Sequence, residues 1–212
     1  MKQPVHFSAV VLAAGSSTRM TGRHKLLLPL GHEPVIRRTV RAVLDAGPEK
    51  VVVVTGFGAD AIGEAIADLS ATIVHNSRHA EGQMTSVAAG VAALGAGYDA
   101  VMICLGDMAI LEAADYRELV DAYGAMPQGS ILVPRRDGER GNPVIFSAQH
   151  IPEVIAGNRN LGCRKLIADH PDEVHPYAPT HDRFFVDLDT PADYANLLQR
   201  LSLPAEGAAL AV

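Results

Sequence analysis

The sequence predicts an α/β fold, a three-layer sandwich in which helices cover both faces of a mostly parallel, Rossmann-like sheet. Two features lead to this prediction. Short runs that are apolar throughout recur along the chain, as expected for strands buried on both faces of a parallel sheet. Segments with apolar residues at helical spacing separate these runs, and such alternation places helices over the sheet.

The individual elements follow from the apolar runs and from the residues that bound them. The first run ends in a small-residue turn, and the first helical segment is followed by Gly47-Pro48, a common helix end. Predicted strands cover residues 8–12, 50–55, 71–74, 100–105 and 183–189, with two more inside 131–146 around a polar loop. Predicted helices cover residues 34–44, 59–69, 86–94, 115–123 and 191–201.

Composition limits the domain organisation and the partners. The 212 residues, 48% of them hydrophobic, fit one domain, placed at 1–203, with a disordered tail at 204–212. A net charge of -6 without a basic run argues against a nucleic-acid partner. No apolar stretch approaches the roughly 20 residues that span a bilayer, so we expect no membrane partner and a cytoplasmic location. Cys104 and Cys163 form no CxxC unit and signal neither a disulfide nor a zinc site.

The loop over residues 12–25 has the composition of an anion-binding loop. Small residues let the backbone approach a ligand, and Arg19 and Lys25 supply positive charge at the carboxyl end of a strand. The alternative is a solvated turn with exposed basic residues. The loop is not a P-loop, because Lys25 is followed by Leu26 and not by Ser or Thr. The residues predicted to bind a nucleoside triphosphate here are Leu12, Ala13, Ala14, Gly15, Ser16, Arg19 and Lys25.

Two aspartates follow the ends of predicted strands. Asp107 comes after a strand and a glycine, so its carboxylate is expected beside the loop, where it suits Mg²⁺; the alternative is a cap or turn residue. Asp189 precedes Thr190-Pro191 and is either a metal ligand or part of a capping sequence. Asp187 should point the other way, because side chains alternate along a strand.

Five segments together resemble one known family. Residues 12–30 match the signature of the MobA-like nucleotidyltransferases, LAAGxSxRM followed by a variable stretch and KLLLPL. The segments GQMTS at 82–86, GDMA at 106–109, RGNPV at 140–144 and DLDTP at 187–191 match the family's GxxxS, GDMP, RGNPV and DxDTP. The resemblance extends over residues 7–199 and is strongest toward the molybdenum cofactor cytidylyltransferase branch.

This resemblance implies a nucleotide-diphospho-sugar transferase type of fold and a Mg²⁺-dependent enzyme. The enzyme would pass CMP from CTP to a small phosphorylated acceptor such as molybdopterin, release pyrophosphate, and hand its product to a molybdoenzyme or its chaperone. Arg19, Lys25 and Asp107 would be catalytic, and Asp107 and Asp189 would hold Mg²⁺. The resemblance adds Gln83, Ser86 and Gly106 as nucleotide contacts, and Arg140, Gly141, Asn142 and Arg164 as acceptor contacts.

Structural explanations remain open for some of these residues, and two motifs depart from the family pattern. Ser86 is also a candidate helix cap, and residues 140–143 have the composition of a flexible surface turn. Ala109 replaces the proline of GDMP. Asn160 stands where the cofactor enzymes carry the acid of GDxGxR, although Gly162 and Arg164 are kept, and this bears on the acceptor more than on the reaction type.

Three alternative functions remain. Residues 56–61 fit a loose GxGxxG/A pattern of an NAD(P)-dependent oxidoreductase, although no acid ends the next strand. A non-catalytic regulatory protein could keep the same nucleotide-binding fold. Within the enzyme class, a GTP-dependent or sugar-phosphate nucleotidyltransferase is the closest alternative.

Overall fold

A computed structural model describes residues 4–17, 19–20, 24–156 and 163–204. One main sheet of short, mostly buried strands dominates this part of the chain, and β2 and β3 form a separate antiparallel pair. The strands are β1 (Phe7–Ala13), β2 (Pro29–Leu30), β3 (Glu33–Pro34), β4 (Val51–Thr55), β5 (Thr72–His75), β6 (Ala100–Leu105), β7 (Ile131–Arg136), β8 (Glu139–Arg140), β9 (Val144–Ser147) and β10 (Val174–Tyr177).

The main sheet has the order β10-β7-β9-β6-β1-β4-β5, and β8 pairs with β7. β1 runs parallel to β6 and β4, whereas β9 runs antiparallel to β6 and β7. Leu12 lies opposite Leu105, so the loops that follow β1 and β6 leave the same edge of the sheet side by side. The prediction of a mostly parallel sheet is confirmed.

Helices cover both faces of this sheet. Alternate residues of β1 point to opposite sides. Ala9 and Val11 pack with α1, α2, α4 and α7, and Val10 and Leu12 pack with α3, α5 and α6, so two apolar cores enclose the sheet and the predicted three-layer sandwich is confirmed. The helices are α1 (Val35–Asp45), α2 (Ala59–Ala65), α3 (Gln83–Leu94), α4 (Ala113–Gly124), α5 (Ile151–Ala156), α6 (Cys163–Asp169) and α7 (Pro191–Arg200).

The strand predicted over residues 183–189 is wrong. Arg183–Phe185 form a 3₁₀ turn, and the chain from there to Asp189 joins no sheet. Phe184 is fully buried in the core, and its carbonyl oxygen accepts a hydrogen bond from the Asn142 N–H at 2.9 Å. Leu188 is buried in the same core. Because buried side chains and this hydrogen bond hold the segment in place of a strand ladder, the alternation argument for Asp187 does not apply.

Two helix boundaries also differ from the prediction. α3 begins at Gln83, three residues earlier than expected, because Gly82 with a φ of 123° reverses the chain just before it. Ser86 therefore lies inside the first turn of α3 and does not cap it. α2 ends at Ala65, four residues early, where Ile66 leaves helical geometry.

Some predictions lie outside the described residues or remain untested. Asn160 and Gly162 fall outside the described ranges, and so does the predicted tail from residue 205 onward. The single-domain assignment stays a prediction. None of the described helices is long and apolar enough to cross a membrane.

Candidate active site

A pocket of about 240 Å³ opens where the carboxyl ends of β1 and β6 meet. This edge is where open α/β sheets bind their ligands. The pocket brings together the loop after β1, the turn after β6 and the first turn of α3. It is lined by Leu12, Ala14, Gly15, Lys25, Leu26, His79, Gln83, Ser86, Leu105 and Asp107.

Four residues predicted to contact the nucleotide are not in this lining: Ala13, Ser16, Arg19 and Gly106. Ala13 is the buried last residue of β1, and Ser16 is exposed on the loop. The Gly106 N–H donates to the Leu12 carbonyl oxygen at 2.9 Å, and a Cβ at Gly106 would lie 2.9 Å from the same oxygen. Glycine is thus required here so that the turn after β6 can approach β1.

Lys25 joins the two predicted metal ligands. Its Nζ lies 2.5 Å from Asp107 Oδ2 and 2.8 Å from Asp189 Oδ1. Arg19 Nη1 lies 2.8 Å from Asp189 Oδ2. The Lys25 and Asp107 side chains are only 14% and 13% exposed, whereas Arg19 is 68% exposed. Two cations and two carboxylates therefore form one network beside the pocket, with Arg19 on its solvent side.

Two local structures hold this network in place. Ser17 adopts a φ of 51°, and its Oγ accepts a hydrogen bond from the Lys25 backbone N–H at 3.1 Å, so the loop folds back on itself. At the other end, Thr190 and Asp193 form the capping box of α7. Because these two residues cap the helix, the Asp189 carboxylate is left to Lys25, and the capping explanation for Asp189 does not hold.

The network shifts the pKa values of its members. Burial lowers the pKa of Lys25, but the charges of Asp107 and Asp189 outweigh this and hold it above its ordinary value. Burial raises the pKa of Asp189, but Lys25 and Arg19 bring it below its ordinary value. Burial and the negative charges of Asp107 and Asp189 raise the pKa of Asp187. Asp187 lines a separate cavity with Val186 and Asp193 and not the pocket that Asp107 lines. That its side chain points away from Asp189 stays a prediction.

Asp107 keeps one carboxylate oxygen without a partner. Oδ2 faces Lys25, whereas Oδ1 is out of contact with solvent and accepts no hydrogen bond from the described residues. A buried carboxylate oxygen without a partner is costly unless a cation approaches it. Asp107 and Asp189 offer the oxygen ligands that hard divalent cations prefer. The residues present therefore fit a divalent metal ion.

The first turn of α3 forms the opposite wall of the pocket. Asn76, directly after β5, donates from Nδ2 to Ser86 Oγ at 2.9 Å and to Thr85 Oγ1 at 2.8 Å. Ser86 is 3% exposed, so this hydrogen bond fixes its hydroxyl at the base of the pocket. Gln83 and His79 complete the wall.

Residues 140–143 do not form a flexible surface turn, so that explanation is wrong. The Gly141 N–H donates to the Pro134 carbonyl oxygen at 2.8 Å, and the Asn142 N–H donates to that of Phe184. A Cβ at Gly141 would lie 2.5 Å from the Phe184 carbonyl oxygen, and the Asn142–Pro143 peptide is cis. The segment is held at fixed backbone positions.

Two of the predicted acceptor contacts, Arg140 and Arg164, lie near each other. Burial lowers the pKa of Arg140, and the positive charges of Arg164 and Arg135 lower it further. Within the described ranges none of these three arginines forms an ion pair with a carboxylate. Clustered positive charge of this kind attracts an anionic ligand.

The alternative of a dinucleotide-dependent oxidoreductase gains no support. A Cβ at Gly56 would lie 2.6 Å from His79 Cγ and 2.9 Å from Ala14 Cβ, and one at Gly58 would lie 2.8 Å from the His24 ring. The glycines of this loop thus make room for the protein's own side chains.

Two polar residues at the pocket, Asn76 and His79, were not predicted from the sequence. Asn76 directly follows a parallel strand at the edge of the sheet where the pocket opens, a position that could have identified it, whereas no pattern singles out His79. Ala109 is buried, and its carbonyl oxygen accepts a hydrogen bond from Arg38 Nε at 2.8 Å. The turn after Asp107 is thus held without the proline.

Comparisons with known proteins extend this description. A model of the MobA-like NTP transferase domain matches residues 9–174. The chain is 27% identical to the molybdenum cofactor cytidylyltransferase of Escherichia coli (strain K12) over 194 residues, which are 90% of this chain and 95% of that protein.

Two solved structures are similar over most of their length. A nucleotidyl transferase from Methanothermobacter has a TM-score of 0.80 and 26% identity, with 93% of this chain and 98% of that chain covered. The manganese complex of Rv0371c from Mycobacterium tuberculosis H37Rv has a TM-score of 0.73 and 26% identity, with 92% and 98% covered.

The family match spans most of the chain and includes the loop after β1, Asp107 and the segment 140–144. The similarity to the Escherichia coli protein extends over nearly the full length of both chains. The predicted family is confirmed. The chain belongs to the MobA-like NTP transferase family and is a nucleotidyltransferase.

Proposed function

We propose that this chain transfers CMP from CTP to a small phosphorylated acceptor, molybdopterin or the molybdenum cofactor, with release of pyrophosphate. The observation that carries this proposal is the contact of Lys25 with both Asp107 and Asp189 beside the pocket. Similarity over 90% of the chain to a molybdenum cofactor cytidylyltransferase supports the choice of CTP and of the acceptor. The product would then pass to a molybdoenzyme or its chaperone.

The triphosphate binds along the loop after β1. Gly15 lines the pocket, and nothing lies within 4 Å of the position that a Cβ would take there, so its backbone is open to a ligand. Lys25 and Arg19, which both pair with Asp189, supply positive charge beside this loop. When the nucleotide binds, phosphate oxygens replace the carboxylates as their partners and form charge-assisted hydrogen bonds of the same kind.

Asp107 and Asp189 would hold a divalent cation, Mg²⁺, together with the phosphates. The unpartnered Asp107 Oδ1 supports this assignment, and the manganese complex of a structural relative supports the divalent class. Such an ion supplies charge neutralisation on the phosphates and on the leaving group. In this structure the Lys25 ammonium lies between the two carboxylates and offsets their mutual repulsion.

The chain's own residues position the reactants. A phosphate oxygen of the acceptor attacks the α-phosphorus, and the bond from that phosphorus to the bridging oxygen of pyrophosphate breaks. No strong general base is needed, because a terminal phosphate is already anionic near neutral pH. Arg140 and Arg164 hold the acceptor, while Lys25 and Arg19 stabilise the charge that develops on the transferred group.

A nucleotide screen tests this proposal. The Tm of the purified protein is measured with CTP, GTP, ATP or UTP in the presence of Mg²⁺. In separate samples, pyrophosphate release is measured with a molybdopterin acceptor. We expect CTP to stabilise most, because a ligand at 100 times its dissociation constant adds about 2.7 kcal/mol. Stronger stabilisation by GTP would favour the GTP-dependent alternative. Nucleotide binding without pyrophosphate release across a panel of acceptors would favour a regulatory protein.

A further inference from the structure

A second group of chemically active side chains lies at the opposite edge of the sheet from the pocket. His150 follows β9, which runs antiparallel, and Glu173 immediately precedes β10. Both therefore lie near the amino-terminal ends of the parallel strands, where Gly129 also precedes β7. His170 and Glu153 join them from the flanking helical segments.

The possible ligand atoms of this group lie close together. Glu173 Oε2 lies 3.0 Å from His150 Nε2 and 3.7 Å from His170 Nδ1. Two ligands bound at about 2.0–2.1 Å to a tetrahedral zinc ion lie roughly 3.3 Å apart, so both separations are close to those in a zinc site. His150, His170 and Glu173 each offer a ligand atom, and these atoms all lie within 4.8 Å of one another.

Burial and the lack of a hydrogen bond also indicate a metal site at His150 and Glu173. The His150 side chain is 5% exposed. Glu173 Oε2 is out of contact with solvent and accepts no hydrogen bond from the described residues, although His150 Nε2 is only 3.0 Å away. This buried carboxylate oxygen lies near two imidazoles and has no hydrogen bond. A cation bound between the three side chains would satisfy it.

Glu153 completes the arrangement. Its Oε2 lies 2.7 Å from His170 Nε2, the ring nitrogen that does not face Glu173. Histidines that bind metals usually donate their second ring N–H to a carboxylate, which fixes the tautomer and turns the free nitrogen toward the metal. The competing interaction is the contact between His150 Nε2 and the Gly129 carbonyl oxygen at 3.0 Å, which metal binding would replace.

We infer that His150, His170 and Glu173 form a binding site for a transition-metal ion of the zinc class, with Glu153 orienting His170. Two imidazoles and one carboxylate suit Zn²⁺ and not Mg²⁺, which prefers oxygen ligands only. The ion connects the end of β9 to the start of β10 and stabilises the fold there. This site is independent of the proposed nucleotidyl transfer.

The test is a calorimetric titration of the chelator-treated full-length chain with ZnCl₂ in excess Mg²⁺, repeated on Asp107→Asn so that an ion at the catalytic pocket is not counted. We expect one zinc ion per chain in both proteins and a rise in Tm on binding. Substitution by Co²⁺ should give visible absorption bands of a tetrahedral site. Absence of zinc binding in the presence of Mg²⁺ would overturn the inference and leave the group as a set of ion pairs.

Variants locate the ion. His170→Ala should abolish stoichiometric binding, and Glu153→Gln, which keeps the size of the side chain, should weaken it by about tenfold to a hundredfold. His32→Ala, at an exposed histidine of the β2–β3 turn, is the matched control and should bind zinc like the parent chain. If His170→Ala fails to fold, the zinc affinity of Glu153→Gln is the measurement that tests the site. Equal zinc affinity in Glu153→Gln and His32→Ala would contradict the site.

Discussion

Lys25 Nζ lies 2.5 Å from Asp107 Oδ2, although 82 positions separate the two residues in the chain. The same ammonium lies 2.8 Å from Asp189 Oδ1. The group proposed to bind phosphate is therefore also the counter-ion of both proposed metal ligands. Metal binding and nucleotide binding should thus be coupled through an exchange of partners at Lys25.

Replacement of Lys25 by methionine tests this exchange. In Lys25→Met the carboxylates lose their ammonium, so Mn²⁺ should bind more tightly than to the wild type when no nucleotide is present. Pyrophosphate release should nevertheless fall by about a hundredfold or more, because a fixed charge on the phosphates is lost. Calorimetry and a coupled assay measure the two effects. Lys165→Met, at an exposed lysine of α6, is the control, and unchanged or weaker Mn²⁺ binding in Lys25→Met would argue against the exchange.

Two glycines near the pocket should respond differently to alanine. At Gly15 nothing lies within 4 Å of the new Cβ, so the Tm of Gly15→Ala should equal that of the wild type. Nucleotide binding should weaken, because the added methyl group keeps the phosphates away from the backbone of the loop. At Gly106 the new Cβ would lie 2.9 Å from the Leu12 carbonyl oxygen, so Gly106→Ala should lower Tm as well. Thermal melts with and without CTP separate the two outcomes. A large loss of Tm in Gly15→Ala would show that the loop is packed differently.

Asn76 should act on the nucleotide through its neighbours. Asn76→Ala removes the donors to Thr85 and Ser86, so the first turn of α3 loses its support. We expect KM for the nucleotide to rise several-fold with a smaller change in kcat, and stability to fall by about 1–3 kcal/mol. Asn196→Ala, at an exposed asparagine of α7, is the control. An unchanged KM would mean that Ser86 does not contact the nucleotide.

His24 should make the fold sensitive to mild acid. Its Nε2 lies 3.0 Å from the Phe57 carbonyl oxygen and therefore carries the proton, whereas Nδ1 is buried without a hydrogen bond. Burial, with a smaller effect of the Lys25 charge, lowers the pKa of His24 below 6.5, although the Phe57 hydrogen bond opposes this. The unfolded chain then binds a proton that the folded chain does not, so stability is lost as pH falls below about 6.5.

The His24→Gln variant measures this effect. Its Tm should fall less than that of the wild type between about pH 7.5 and pH 5.5, the range over which an unperturbed histidine titrates. His32→Gln is the control and should behave like the wild type. A Tm loss in His24→Gln as large as in the wild type would show that the acid sensitivity has another origin.

The sequence predicted the layers of the fold and the active edge because both depend on local patterns. Strands buried on both faces are apolar throughout, and Asp107 follows such a strand after a single glycine. The segment from Arg183 to Asp189 shares this apolar composition, yet it joins no sheet, and Phe184 and Leu188 are buried in the core individually. Local sequence does not distinguish a segment held by buried side chains and a single backbone hydrogen bond from a strand of a sheet, so a strand was predicted here.

The contacts that join distant segments were not predictable from patterns. The hydrogen bond from Asn142 to Phe184 and the pairing of Lys25 with Asp189 depend on how loops meet after the sheet has formed. The His150–Glu173 group has no recognisable spacing, and only the cysteines were considered as zinc ligands. Such sites become visible when the fold brings remote side chains together.

Pyrophosphate release by Asp107→Asn, with CTP, Mg²⁺ and a molybdopterin acceptor, tests the central claim most directly. Asp121→Asn, at an exposed aspartate of α4, is the matched control, and circular dichroism and Tm verify that both variants fold. The proposed role of Asp107 predicts a loss of about a hundredfold or more in Asp107→Asn and normal release in the control. Near-normal release by folded Asp107→Asn would contradict it.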